Sequence, residues 1–244
     1  MRERRGKFLV EGPQAVREAL ADPGRVHEVL ATAAAAVRHP DMVAAAAAAA
    51  VPWHEVDPGA LTSVTETVVD QGVVAIAHLL TPDADAVWAA RPRLVAGLCD
   101  IRDPGNAGTV TRCADAAGAD AVALLGESVD PHNGKCVRAS VGSVFHLPVL
   151  TDLPVADGVA AARAEGLQVL AADGAGTVSL DRAGDLLARP TLWLFGNEAA
   201  GLTDAQRDSA DAVVRIPIHG RAESLNLAAA AVLCLYASAA AQRR

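Results

Sequence analysis

Beyond Arg93 the chain repeats one pattern that leaves few folds open. Short, almost wholly apolar runs at 94–99, 121–125, 168–172, 191–195 and 213–216 are separated by stretches with helical periodicity. A strand with no polar face is buried on both sides, and strands that alternate with helices pair in parallel through crossovers. The expectation is α/β: a parallel sheet with helices on both faces. Ligands in such folds bind at loops leaving the carboxyl ends of the strands. The segments to inspect are therefore DIRDPGNAGTVTR, FGNEAAGLT and IPIHGRAESLN.

Before Arg93 the pattern is less regular. It predicts a helix over 13–20, a strand over 26–31, an alanine-rich helix over 41–50 and a strand over 73–77. The segment TPDADAVWAARPR, 81–93, mixes proline, acidic and small residues without a sustained period and is the expected linker. The 244 residues thus divide into a small α/β domain, 1–80, and a larger one, 94–244.

Composition narrows the function. A formal net charge of −8 argues against a protein that grips nucleic acid by bulk positive charge, though a local basic patch can operate on an acidic molecule. The four cysteines lie far apart without a CxxC pair, so neither a zinc site nor a disulfide framework is indicated, and a reducing compartment is expected. The apolar run Phe8-Leu9-Val10 after the basic start is too short for a signal-peptide core, which gives a cytoplasmic expectation. The alanine-rich stretch 225–241 falls short of the roughly 20 strongly apolar residues a membrane-spanning helix needs, so a buried helix is expected there.

Several motifs fail. GESVDPHNGKC lacks phosphate-loop spacing and has Cys136 where Ser or Thr is needed, and Gly174-Ala175-Gly176 lacks the third glycine of a dinucleotide fingerprint. No HExxH occurs, so nothing points to a metal.

Individual residues in the three loops admit more than one role. Asn106 can cap the helix that follows it. Arg112, about two turns into that helix, can form a surface ion pair or clamp a phosphate. Glycines around Asn197 and Glu198 let a backbone approach a ligand closely, and Glu198 can receive backbone amides or pair with Arg112. Ser224 can cap the last helix, which leaves Asn226 as a second short polar residue inside a buried helix, where it needs a partner.

Taken together, the three loops resemble one family, the SpoU, or TrmH-type, branch of the knotted RNA ribose 2'-O-methyltransferases of the SPOUT superfamily. Its first motif, N-x-G with a later arginine, matches Asn106, Gly108 and Arg112; its second, G-x-E-x-x-G-L, matches Gly196 through Leu202; its third matches Ile216-Pro217-Ile218-His219-Gly220 through Ser224-Leu225-Asn226. KCVRASVGSVFHLPV also looks like the family's segment between the first two motifs. FLVEGPQAVREAL and QGVVAIA resemble the small RNA-binding domain, L30e-like, that many members carry.

The resemblance implies a C-terminal sheet closed by a deep trefoil knot, an exception to the usual absence of threaded chains. It implies S-adenosylmethionine held at Gly196, Asn197, Gly201, Ile216, Ile218 and Leu225, with Ala171, on the 168–172 strand, as a further contact. It implies catalysis by Arg112 with Asn106, Glu198, Ser224 and Asn226, RNA contacts from Arg5, Lys135 and Arg138, no metal, and a homodimer. The substrate expected is 23S ribosomal RNA, with transfer RNA, or a catalytically inactive RNA-binding assembly factor, as the alternatives.

Overall fold

The structure, a computed structural model, describes residues 6–65 and 71–243. Its N-terminal part is a four-stranded sheet of order β1-β4-β2-β3, with β1 (Lys7–Glu11), β2 (Val26–Ala31), β3 (Trp53–Glu55) and β4 (Val73–His78). Helix α1 (Pro13–Ala21) starts with proline at its first turn and turns Ala15, Val16, Ala19 and Leu20 inward, the spacing of one helical face. They meet Val10, Val29, Ala31, Val73 and Ala75 in one core.

The expected alanine helix forms close to its predicted place, over 40–48, and a second short helix that the pattern does not predict precedes it. Helix α2 (Ala33–Arg38) ends before Pro40, and α3 (Pro40–Ala48) begins there. Proline has no N–H to continue the first helix and forces its predecessor out of the helical region; His39 sits at φ −127°, ψ 59°. A short helix, α4 (Pro58–Thr62), completes the N-terminal part.

The second part is a seven-stranded sheet of order β7-β6-β5-β10-β8-β11-β9, parallel throughout. Its strands are β5 (Leu94–Cys99), β6 (Ala121–Leu125), β7 (Val149–Leu153), β8 (Gln168–Ala172), β9 (Val178–Ser179), β10 (Thr191–Phe195) and β11 (Ala212–Arg215). Side chains alternate between faces, and both faces are covered. Ala96, Leu98, Leu170, Trp193 and Phe195 pack on one side with α6 (Pro104–Ala117) and the last helix, α10 (Leu227–Gln242). Val95, Val169, Ala171, Leu192 and Leu194 pack on the other with α8 (Val155–Ala164).

The segment 81–93, expected as an irregular linker, contains α5 (Ala84–Ala89), whose Trp88 is 4% exposed and belongs to that second core. No sustained period marks it in the sequence because a six-residue helix spans fewer than two turns.

The two parts share a core. Helix α7 (Gly134–Ser140) and the turn after it send Val137, Val144 and Phe145 into the N-terminal cluster. The Phe8 ring lies 4.7 Å from His132 and 6.1 Å from Phe145. His132 Nε2 accepts from the Leu80 amide at 3.0 Å, and Arg25 donates to the Phe145 carbonyl at 3.0 Å. Cys99, Cys136 and Cys234 are buried, and burial pushes their thiols up to about 12. No helix among the described residues is long and apolar enough to cross a membrane.

Candidate active site

The loop after β5 leads into α6 through Asp103, whose carboxylate accepts from the amides of Gly105 at 2.6 Å and Asn106 at 3.1 Å. Asp103 is therefore the helix cap, and Asn106 is not. The Asp103-Pro104 pair explains this: the residue before proline is held extended and proline suits the first helical position. Freed from capping, the Asn106 side chain donates to Glu198 Oε1 at 3.1 Å, and its own oxygen accepts from Asn226 Nδ2 at 3.4 Å.

Glu198 comes from the loop after β10. Besides Asn106 it accepts from the amides of Arg102 at 3.3 Å and Asp103 at 3.2 Å. Burial pushes its carboxyl up, but hydrogen bonds from its own amide and then from Asn106, Arg102 and Asp103 outweigh it and hold the group below the ordinary glutamate value. Of its two expected roles it takes the backbone amides; no bond to Arg112 forms.

The same loop closes on itself. Asn197 and Gly201 exchange backbone hydrogen bonds at 3.0 and 2.8 Å, and the Asn197 side-chain oxygen receives the amides of Ala199 and Ala200. A β-carbon on Gly196 would lie 2.5 Å from the Gly201 carbonyl oxygen. The return of its own loop across it is by itself enough to require glycine at Gly196.

The third loop carries Ile216 through Asn226 without regular structure. Asn226 caps α10, its oxygen accepting from the Ala228 amide at 2.9 Å. Ser224 is not the cap. Asn226 thus stands before the helix and not inside it, which removes the expected propensity cost, and Ser224 is exposed beside it.

Between the last two loops and the end of β8 lies a cleft of about 360 Å³. Gly196, Asn197, Glu198, Gly201, Ile216, Ile218, Ser224 and Leu225 all line it. Ile218 and Leu225, each 39% exposed, form apolar lips. Ala171 does not line it: strand alternation turns Ala171 into the core, fully buried, and gives the wall to Ala172 with Asp173 and Gly174 beyond it.

Arg112 is exposed on α6, six residues past Asn106, and makes no hydrogen bond or ion pair among the described residues. Two other expected cations, Lys135 and Arg138, are engaged. Lys135 Nζ lies 2.8 Å from Asp103 Oδ2, and this bond holds the Asp103 carboxyl below its ordinary value. Arg138 pairs with the buried Glu11 at 3.0 Å across the junction of the two parts. Arg5 lies outside the described residues. Among the described residues no group of three or more His, Cys, Asp or Glu side chains is placed to hold a metal.

Residues the sequence reading passes over are Asp103, which the Asp-Pro step before a periodic stretch signals as a cap, and Asp173, whose place directly after the 168–172 strand is the signal for it.

The fold and cleft define a class: an α/β protein with a ligand site at the carboxyl ends of a parallel sheet, built from three loops and preceded by a smaller domain. The SpoU rRNA Methylase family model matches residues 93–236, and the model for RNA 2'-O ribose methyltransferase substrate binding matches residues 9–82. The chain belongs to the SpoU rRNA methylase family.

A relative from Bacillus subtilis, the 23S rRNA (guanosine(2553)-2'-O)-methyltransferase RlmP, is 34% identical over 96% of this chain and 89% of its own length. The crystal structure of an AdoMet-bound rRNA methyltransferase from Sinorhizobium meliloti superposes with a TM-score of 0.83 at 33% identity, over 97% of this chain and 88% of that one. The SpoU methyltransferase AviRb of Streptomyces viridochromogenes, in complex with AdoMet, gives 0.82 at 32% identity over 99% and 92%.

Proposed function

We propose that this chain transfers a methyl group from S-adenosylmethionine to a ribose 2'-hydroxyl of RNA, in 23S ribosomal RNA. One observation carries the reading: Asn106 bonds both Glu198 and Asn226, tying all three motif loops together on the rim of one cleft.

The cleft suits the donor. Its volume is that of a small-ligand site, and it combines apolar lips with loop backbone. Gly196, Asn197, Gly201, Ile216, Ile218 and Leu225 would hold the donor, with Ala172 and Asp173 taking the place expected of Ala171. When bound, S-adenosylmethionine supplies an electrophilic sulfonium methyl, whose carbon bonds to the 2'-oxygen as its bond to sulfur breaks, leaving S-adenosylhomocysteine and a released hydroxyl proton.

The protein's share is positioning and charge. Holding the hydroxyl in line with the methyl lowers the barrier without further chemistry. The free guanidinium of Arg112 clamps the neighbouring phosphate and stabilises charge developing on the 2'-oxygen; it donates hydrogen bonds and does not take up a proton. Glu198 fixes Asn106 and the first loop, and Ser224 and Asn226 hold the ribose side of the third.

Domain 1–80 binds RNA in this reading, with Arg5 among its contacts, and 94–244 performs the transfer. Lys135 and Arg138 would meet phosphates from positions where they also pair with Asp103 and Glu11. The same proposal includes the trefoil knot, supported by the insertion of β10 between β5 and β8, and a homodimer, supported by Leu233 and Tyr236, 46% and 48% exposed on α10. In this reading the enzyme works on ribosomal RNA in the cytoplasm, which the rRNA-methylating relatives support.

Labelled methyl transfer to 23S rRNA, with 2'-O-methyl mapping in cells that have and lack the gene, tests the assignment. No incorporation and an unchanged map would reject it. Calorimetry should give heat with S-adenosylmethionine and none with ATP or NAD.

A further inference from the structure

Asp100, directly after β5, belongs to none of the three motifs, yet it is a non-glycine residue at φ 56°. A left-handed backbone costs a side-chain-bearing residue about 1 kcal/mol or more and persists only where its surroundings hold it. Four hydrogen bonds do so. The Asp100 amide donates to the Leu125 carbonyl at 3.0 Å. One carboxylate oxygen accepts from the Glu127 amide at 2.9 Å and the other from Gln206 Nε2 at 2.9 Å. The Asp100 carbonyl accepts from Asn197 Nδ2 at 2.8 Å.

These bonds lead to both walls of the cleft. Asn197 closes the loop that bears Glu198 and lines the cavity. Gln206 lies on α9 (Asp204–Asp208), where its side-chain oxygen accepts from the Thr203 amide in a capping box. Its neighbour Arg207 donates to Asp173, on the opposite wall, at 3.2 Å.

We infer that Asp100 is a positioning residue: through Asn197 on one side and Gln206 with Arg207 on the other, it sets the spacing of the two cleft walls and thereby the affinity for the methyl donor. The inference rests on the functional reading above only for the identity of the ligand.

The contact can be inverted without disturbing the backbone. Asparagine tolerates the left-handed conformation as well as aspartate does and keeps an oxygen for the Glu127 amide. In Asp100→Asn, however, two amide groups face each other as donors. Gln206 cannot flip to relieve this without giving up the Thr203 amide. Adding Gln206→Glu restores a donor facing an acceptor and leaves an oxygen for the capping box.

Calorimetry with S-adenosylmethionine should show affinity falling by about tenfold or more in Asp100→Asn, the scale of a lost charge-assisted hydrogen bond. It should recover to within about threefold of wild type in the double variant. Hydrogen exchange of residues 196–202 should speed up and slow down in parallel.

Wild-type affinity and protection in Asp100→Asn would overturn the inference, and so would a double variant that recovers neither. If Asp100→Asn does not fold, Gln206→Ala decides: a shift in the same direction supports the role and wild-type behaviour overturns it. The exchange measurement needs no donor. A wild-type chain that bound no S-adenosylmethionine would sink the functional reading, while protection of 196–202 would still decide this one.

Discussion

Asn106 donates to Glu198 Oε1 at 3.1 Å, so the second motif grips the first through a side chain that the helix cap, Asp103, has left free. Glu198→Gln would keep one acceptor and turn an amide N–H toward backbone donors. Methyl transfer should fall by about tenfold or more, while stability falls by no more than about 1 kcal/mol, because these bonds lie at the exposed rim. Parallel turnover and thermal melts check this. Since the folded carboxyl is held below its ordinary value of 4.5, the bonds contribute at neutral pH and fade only as pH falls through that lower value.

Arg112 is exposed and unpaired among the described residues. Arg112→Ala should abolish methyl transfer while changing stability by less than about 0.5 kcal/mol, as surface substitutions do, and leaving the calorimetric affinity for S-adenosylmethionine at the wild-type value. Wild-type turnover would remove Arg112 from the mechanism.

Gly196→Ala would press a methyl group into the Gly201 backbone. Overpacking of this kind costs about 1–3 kcal/mol. Both the melting temperature and donor affinity should fall together, in contrast to Arg112→Ala.

His146 joins Asp115 of α6 at 2.7 Å to Glu18 of α1 at 3.1 Å. The hydrogen bond that its ring donates to Asp115 raises its pKa, burial opposes the rise, and Glu18 adds to it. A raised folded value means the contribution is complete below the ordinary value of 6.5 and is lost as pH climbs through the folded value. Wild-type stability should therefore decline over that window, and His146→Gln should flatten the decline in melts taken across it.

Leu233 and Tyr236 should set the oligomeric state. Replacing both with aspartate should shift sedimentation from a dimer to a monomer with little loss of stability, since both side chains are already exposed.

Strand limits in the larger sheet are legible wherever both faces are buried: 94–99, 121–125, 168–172 and 191–195 coincide with β5, β6, β8 and β10. β7 escapes because it is an edge strand, with Thr151 and Asp152 exposed, and carries no continuous apolar run. The three loops are legible as motifs, yet the local role of their polar residues is not. Asn106 and Ser224 both have the chemistry of a cap, and Asp103 and Asn226 take the position instead. Which polar residue caps a helix depends on where the backbone leaves the extended region, and at the first helix Pro104 decides that. Glu198's partners are about a hundred positions away in sequence, so only the folded chain reveals them.

Helix α7 lies directly against α6: a β-carbon on Gly108 would stand 2.8 Å from that of Ala139. Its other face carries Val137 into the N-terminal cluster. Among the described residues the small domain is thus packed, through α7, against the helix bearing Asn106 and Arg112. An RNA docked on that domain would be presented to the helix at an offset set by this packing, and reach, rather than grip, would choose the nucleotide.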